Sequence, residues 1–210
     1  MGEEHDHLIA TALRIFAELG YDGVTLQTIV DAAGYDINVV HSVARTKAEM
    51  YLAVMQHADD LERSALEAAL ARFTPSKQGV ITLADAYLDF FVAHPHVLAL
   101  WQHRWMGDAA DLPDLEERYT RSLSVQIAGT IKDLLPPDVA PDYLVWSVVW
   151  CVYGFLSGGV IGSGSDQGRH RHSDSGGRDL EGFRTFLHTM LDHLLTPLPQ
   201  RPPDTGSSGR

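Results

Sequence analysis

Apolar residues recur along this chain every three or four positions, the spacing of one helix face, and no stretch alternates as a strand would. Leu8, Ala12, Ile15, Phe16 and Leu19 stripe a first helix that ends at Gly20. Thr25 stands where an N-cap belongs, ahead of Leu26, Ile29 and Val30. Ala32, Ala33 and Gly34 make a tight turn, and Asp36 can cap a second short helix through Val43. Thr46 caps a long helix to about Phe73, stopped by Thr74 and Pro75. The same period predicts helices over 80–93, 95–106, 113–135, 141–161 and 179–195, several of them opened or closed by proline. Residues 162–177 are rich in Gly, Ser and His and read as a loop. The pattern therefore predicts an all-α chain of about nine helices. Three form a head over residues 1–46, the rest a body over 47–196, and residues 197–210, rich in Pro, Gly and Ser, form a disordered tail.

The two short helices with their tight turn have the plan of a helix-turn-helix, in which the second helix enters the major groove of DNA. Polar residues on or beside them that could contact DNA are Thr25, Asn38, His41, Ser42, Arg45 and Lys47. Asn38 or Ser42 would suit base edges and Lys47 a phosphate. Cations are scarce, however. Residues 1–44 hold Arg14 alone against Glu3, Glu4, Asp6, Glu18, Asp22, Asp31 and Asp36. DNA affinity draws heavily on Lys and Arg neutralising phosphates, so this head predicts weak, salt-insensitive binding.

Phe16, Gly20, Tyr21, Thr25, Ile29, Ala33, Gly34 and Lys47, in this order and spacing, resemble the N-terminal domain of the TetR family of bacterial repressors over residues 8–55. The resemblance implies a TetR-like fold, with the three-helix head joined to a body of roughly six helices that binds a ligand and dimerises. It also implies a transcriptional regulator, a repressor controlled by a small molecule in the body. The departures fall on the DNA face. Val40, His41 and Ala44 stand where the family usually has a Leu-Tyr pair and a later aromatic, and Ile37 and Asn38 where it often has Lys and a small residue.

The formal charge of −12 argues against a broad surface for nucleic acid or anionic membrane, and favours neutral or cationic ligands. Cys151 is the one cysteine, so no internal disulfide forms. The first residues, MGEEHDH, lack the apolar stretch and basic leader of a signal peptide, which predicts a cytoplasmic protein. Residues 143–162 carry no charge and hold Gly154 and Gly158 in a GxxxG spacing. Without a flanking Lys/Arg cluster, they read as a buried helix covered by a second copy rather than a membrane span. Amphipathic Leu180, Phe183, Leu187, Leu191 and Leu194 would complete a four-helix homodimer interface.

The eleven histidines include three i,i+2 pairs, a spacing that turns two rings to different helix faces. No metal site and no cofactor is expected. The aromatics point elsewhere. Tyr87, Phe90, Phe91, Trp101, Trp105, Tyr119, Trp146 and Trp150 all fall in the body helices and are the candidate ligand-binding residues. Trp101 and Trp105 share a helix face, with His103 and Arg104 turned away. A mostly apolar cavity with a few polar groups is the usual small-molecule site, and an aromatic one suits a flat aromatic or polyketide-like molecule. Two readings remain open. One is the ligand-responsive regulator. The other is a TetR-fold protein that has lost operator binding and acts as an enzyme or ligand-binding protein in small-molecule metabolism. In the enzyme reading, His103, Asp108 or Tyr119 would supply the acid or base.

Overall fold

A computed structural model describes residues 2–160 and 178–196. Among them every regular element is helical: α1 Gly2–Leu19, α2 Leu26–Ala33, α3 Ile37–Val43, α4 Lys47–Leu70, α5 Lys77–Ala93, α6 Pro95–Trp105, α7 Leu115–Tyr119, α8 Arg121–Ile131, α9 Pro141–Gly158 and α10 Arg178–Leu194. The predicted loop at 162–177 and the tail at 197–210 lie outside the described residues.

The head is built by caps that sequence specifies locally. Thr25 accepts from the Thr28 amide, and the Thr28 hydroxyl answers it in a capping box. Asp36 accepts from the Asn38 amide at 2.8 Å. Thr46 and Glu49 form a second capping box at the start of α4. Gly34 ends α2 at φ +69°, in the left-handed region that favours glycine. Phe16, Tyr21, Ile29, Val40 and Tyr51 then close one core that runs from the head into the body without a gap.

Two elements differ from the pattern. The single helix expected over 113–135 is broken: α7 ends at Tyr119, α8 starts at Arg121, and a 3₁₀ turn, Lys132–Leu134, finishes it. No Gly or Pro stands at the break. α7 packs on α4 and α8 on α9, so tertiary contacts bend the chain around the space between them. The stripe expected to dimerise is also used differently. Phe183, Leu187 and Leu191 are buried in the protomer's own core, and Phe183 stacks on Phe155 at 4.1 Å. The exposed apolar residues of α9 and α10 are instead Tyr143, Trp150 and Phe186. No described helix is long and apolar enough to cross a membrane.

Candidate functional site

Three places carry the candidate residues: the outer face of the head, a cavity in the body, and the joint between them. On the head, the short α3 buries Val40 and exposes Asn38, His41 and Ser42. Several predicted contact groups already have local partners. Thr25 is engaged in its capping box. The Asn38 amide group donates to Asp36 at 2.6 Å, and Ser42 Oγ to the Val39 carbonyl at 2.6 Å. His41 and Arg45 are exposed. Lys47 does not reach outward. Its Nζ donates to the Tyr21 carbonyl at 2.9 Å and sits 4.0 Å from the centre of the Tyr21 ring.

Tyr21 is also held from the other side. Asp108, just beyond α6, accepts from the backbone N–H of Tyr21 at 2.5 Å and of Asp22 at 2.9 Å. These are charge-assisted bonds to the amides that leave α1. Gly20 makes the approach possible: its φ is +72°, and a Cβ there would come within 3.2 Å of the Asp108 carboxylate. His103 Nε2 meets the Ala17 carbonyl at 3.1 Å. Arg104 holds the Asp108 loop through the Ala109 carbonyl at 2.6 Å, and grips Glu116 with two nitrogens at 2.8 and 3.2 Å. That grip keeps the Glu116 carboxyl below its ordinary range, through the Arg104 hydrogen bonds first. Two residues considered as acid or base, His103 and Asp108, thus fasten body to head.

The cavity lies between α4, α5, α6, α8 and α9, with about 850 Å³ of space, its open mouth included. Tyr87, Trp101, Trp105, Tyr119 and Trp146 line it, as expected from sequence; Tyr119 Oη donates to the Leu52 carbonyl at 3.4 Å. Phe90, Phe91 and Trp150 are not in the wall. Phe91 packs behind it, edge-on to Tyr87 at 4.8 Å and Tyr153 at 5.0 Å. Trp150 is 55% exposed and continues an aromatic ladder outward, Trp105 to Trp146 to Trp150, at 6.2 Å per step. The remaining wall is aliphatic, including Leu66, Leu83, Leu123 and Ile127, with Thr120 and Ser124 as small polar points.

Two further wall residues that matter chemically, Tyr153 and Glu62, were not among the ligand-binding candidates. Among the described residues Glu62 is the one charged side chain in the wall. The residue is half-buried and lines the cavity. Burial, then the Asp59 carboxylate, pushes its pKa up to about 7, with Arg63 opposing. The Tyr87 and Tyr153 phenols are both raised, by burial first and in part by the Glu62 charge. The signal was present. Met55, Ala58, Leu66 and Ala69 are buried on α4, and Glu62 falls in that stripe at i+4 from Ala58.

The family model described as "Bacterial regulatory proteins, tetR family" matches residues 8–54, the head and the start of α4. Over those residues the chain is similar to the TetR family. FasR, an HTH-type transcriptional activator of Mycolicibacterium smegmatis, is 33% identical over 89 residues, which is 42% of this chain. The match spans 40% of the length of that relative. The fold extends further. The TetR-family regulator PfmR of Thermus thermophilus superposes with a TM-score of 0.62 at 16% identity, over 94% of this chain and 98% of its own. AibR, solved in complex with isovaleryl coenzyme A and operator DNA, gives a TM-score of 0.63 at 14% identity, over 93% of this chain and all of its own. At such identities the likeness is one of fold.

Proposed function

We propose that this chain is a TetR-family, ligand-responsive transcriptional regulator, a homodimeric repressor controlled by a small aromatic or polyketide-like molecule held in the body cavity. One observation carries the reading. The helices that wall the cavity are those that hold Tyr21. α4 offers Glu62 and Leu66 to the cavity and Lys47 to Tyr21, while α6 offers Trp101 and Trp105 to the cavity and leads into Asp108. A ligand that separates Trp101 from the α4 wall shifts the mounting of the head. In a dimer this changes the spacing of two recognition helices, and the coupling is reciprocal, so DNA also changes ligand affinity. AibR, with both isovaleryl coenzyme A and operator DNA in its described complex, supports the pairing of the two functions.

Dimerisation belongs to the same reading. Trp150 and Phe186 leave apolar surface on α9 and α10, and a Cβ at Gly154, Gly158 or Gly182 would meet nothing within 4 Å. A second copy can therefore approach these helices closely. The enzyme alternative has less support: His103 and Asp108 are bonded to head backbone outside the cavity wall, leaving Tyr119 of the three candidates.

The experiment is selection from a random-sequence DNA pool, followed by binding to the selected site with and without aromatic ligands that raise the melting temperature. The expected result is a two-fold symmetric site, bound by a species of twice 23.1 kDa and released by ligand. FasR is an activator, so ligand that tightens DNA binding would reverse the sign and keep the regulator. Catalytic turnover of a bound molecule, with no site selected, would replace this reading by the enzyme.

A further inference from the structure

Resting on the cavity reading above, we propose that Glu62 makes this a site for lipophilic amines: a protonated nitrogen pairs with the Glu62 carboxylate while its aromatic or alkyl body packs on Trp101 and Trp105. The wall is apolar on almost every side, yet it includes a half-buried carboxyl group, Glu62. No hydrogen bond to that carboxyl is made among the described residues. Its nearest cation, Arg63, is spent on Asp59, at 3.3 Å to each oxygen. Among the described residues no Lys, Arg or His lines the cavity, so they offer nothing to neutralise an anionic ligand there. A cation gains twice over, from the carboxylate and from the faces of the indoles and phenols around it. The chain's charge of −12 favours entry of cations as well.

The groups facing Glu62 decide its pH behaviour. On its own helix they are Asp59 and Arg63; from α5 comes Tyr87 and from α9 Tyr153, while Tyr119 of α7 shares the wall. The phenols stay protonated through neutral pH, so Glu62 is the group that titrates. With its carboxyl near 7, the empty site is about half ionised at neutral pH. Amine binding requires the ionised form, drives the proton off Glu62 and releases it to solvent.

The test is calorimetric titration of the full chain with three probes that share one ring system: naphthylmethylamine, naphthylmethanol and naphthoate. The expected order has the amine binding at least about tenfold more tightly than the alcohol, and the carboxylate weakest. Amine affinity should rise about tenfold between pH 6 and pH 8 as Glu62 ionises, with the heat depending on the buffer because a proton is released; alcohol affinity should stay level. Glu62→Gln should erase the preference and the pH dependence yet keep the alcohol, which shows that the cavity is intact. Equal binding of amine and alcohol by the unaltered chain, or a preference that survives Glu62→Gln, overturns the amine assignment and leaves the cavity reading standing. Failure of the cavity reading looks different: none of the three probes binds, and Trp101→Ala changes nothing.

Discussion

The head and the cavity solve opposite problems with polar groups. In the head, four of the six polar side chains proposed to face DNA already have a neighbour: Thr25 its capping box, Asn38 the Asp36 carboxylate, Ser42 the Val39 carbonyl, Lys47 the Tyr21 carbonyl and ring. Its exposed surface is satisfied and short of cations. In the cavity the reverse holds. The wall is apolar, and its one charge among the described residues, Glu62, is left without a partner in the place where an unpartnered charge costs most. A partnered group stabilises a fold; a buried, unpartnered acid costs free energy when ionised, which a proton or a cationic ligand can offset. The comparison assigns stability to the head's contacts and specificity to the cavity's acid.

The comparison breaks hardest at the joint. Asp108→Ala removes both acceptors from the Tyr21 and Asp22 amides, a loss on the order of 2–3 kcal/mol for two charge-assisted bonds at a half-buried site. The melting temperature should fall by several degrees, and proteolysis should nick the α1–α2 turn first. Asp108→Asn should recover part of it through its remaining oxygen. If Asp108→Ala melts like the parent, the joint carries none of the head's stability.

Glu62 should behave in the opposite direction. Folded, its carboxyl titrates near 7; unfolded, near the ordinary 4.5. Between those values the folded chain holds the proton more firmly, so this group makes stability fall as pH rises through that window and level off above it. Glu62→Gln should therefore match the parent below about pH 4.5 and exceed it above pH 7, on the order of 2 kcal/mol. Urea unfolding of both chains at pH 5 and pH 8 measures the difference. A parallel pair of pH curves would mean that water reaches Glu62 freely.

How much of this was legible in the sequence follows the same division. The head's caps at Thr25, Asp36 and Thr46 could be named because a cap is a rule about four neighbouring residues. Five of the eight cavity candidates are in the wall because large aromatics on body helices fill or line interiors. Phe90 and Phe91 missed by one helix position or one layer, a distance that periodicity does not resolve. Glu62 was hidden by its neighbours: among Asp59, Asp60 and Arg63 it looks like one more solvated charge, and only the buried stripe of α4 shows that it points inward. The joint was invisible, since Asp108 meets Tyr21 across 87 positions of chain. The kink at Thr120 was equally hidden, because neighbouring helices impose it.

Lys47 tests the boundary between the two kinds of group. Sequence position makes it a phosphate ligand; the structure gives its ammonium to Tyr21. Lys47→Ala should then cost about 1–2 kcal/mol of stability, from one charged hydrogen bond and one cation–π contact. The salt dependence of DNA binding should not change. A salt slope that falls by about 2 per dimer, with an unmoved melting temperature, would return Lys47 to the phosphates.

Arg45 should show the smallest effect on the fold and the clearest on DNA. Its side chain is exposed, while its backbone N–H donates to Glu49 at 2.7 Å, a bond that truncating the side chain leaves intact. Arg45→Ala should leave the melting temperature within the scatter of surface substitutions, about 0.5 kcal/mol. With Lys47 occupied, Arg14 and Arg45 are the head's two remaining cations, and Arg14 is itself 3.4 Å from Glu18. A dimer then neutralises at most about four phosphates, and the logarithmic salt slope should be no steeper than about −4. Arg45→Ala should halve it and weaken all sequences alike, whereas Asn38→Ala should alter base preference and leave the slope alone. A slope near −10 would require cations that the described head lacks, and would move the DNA-binding surface away from α3.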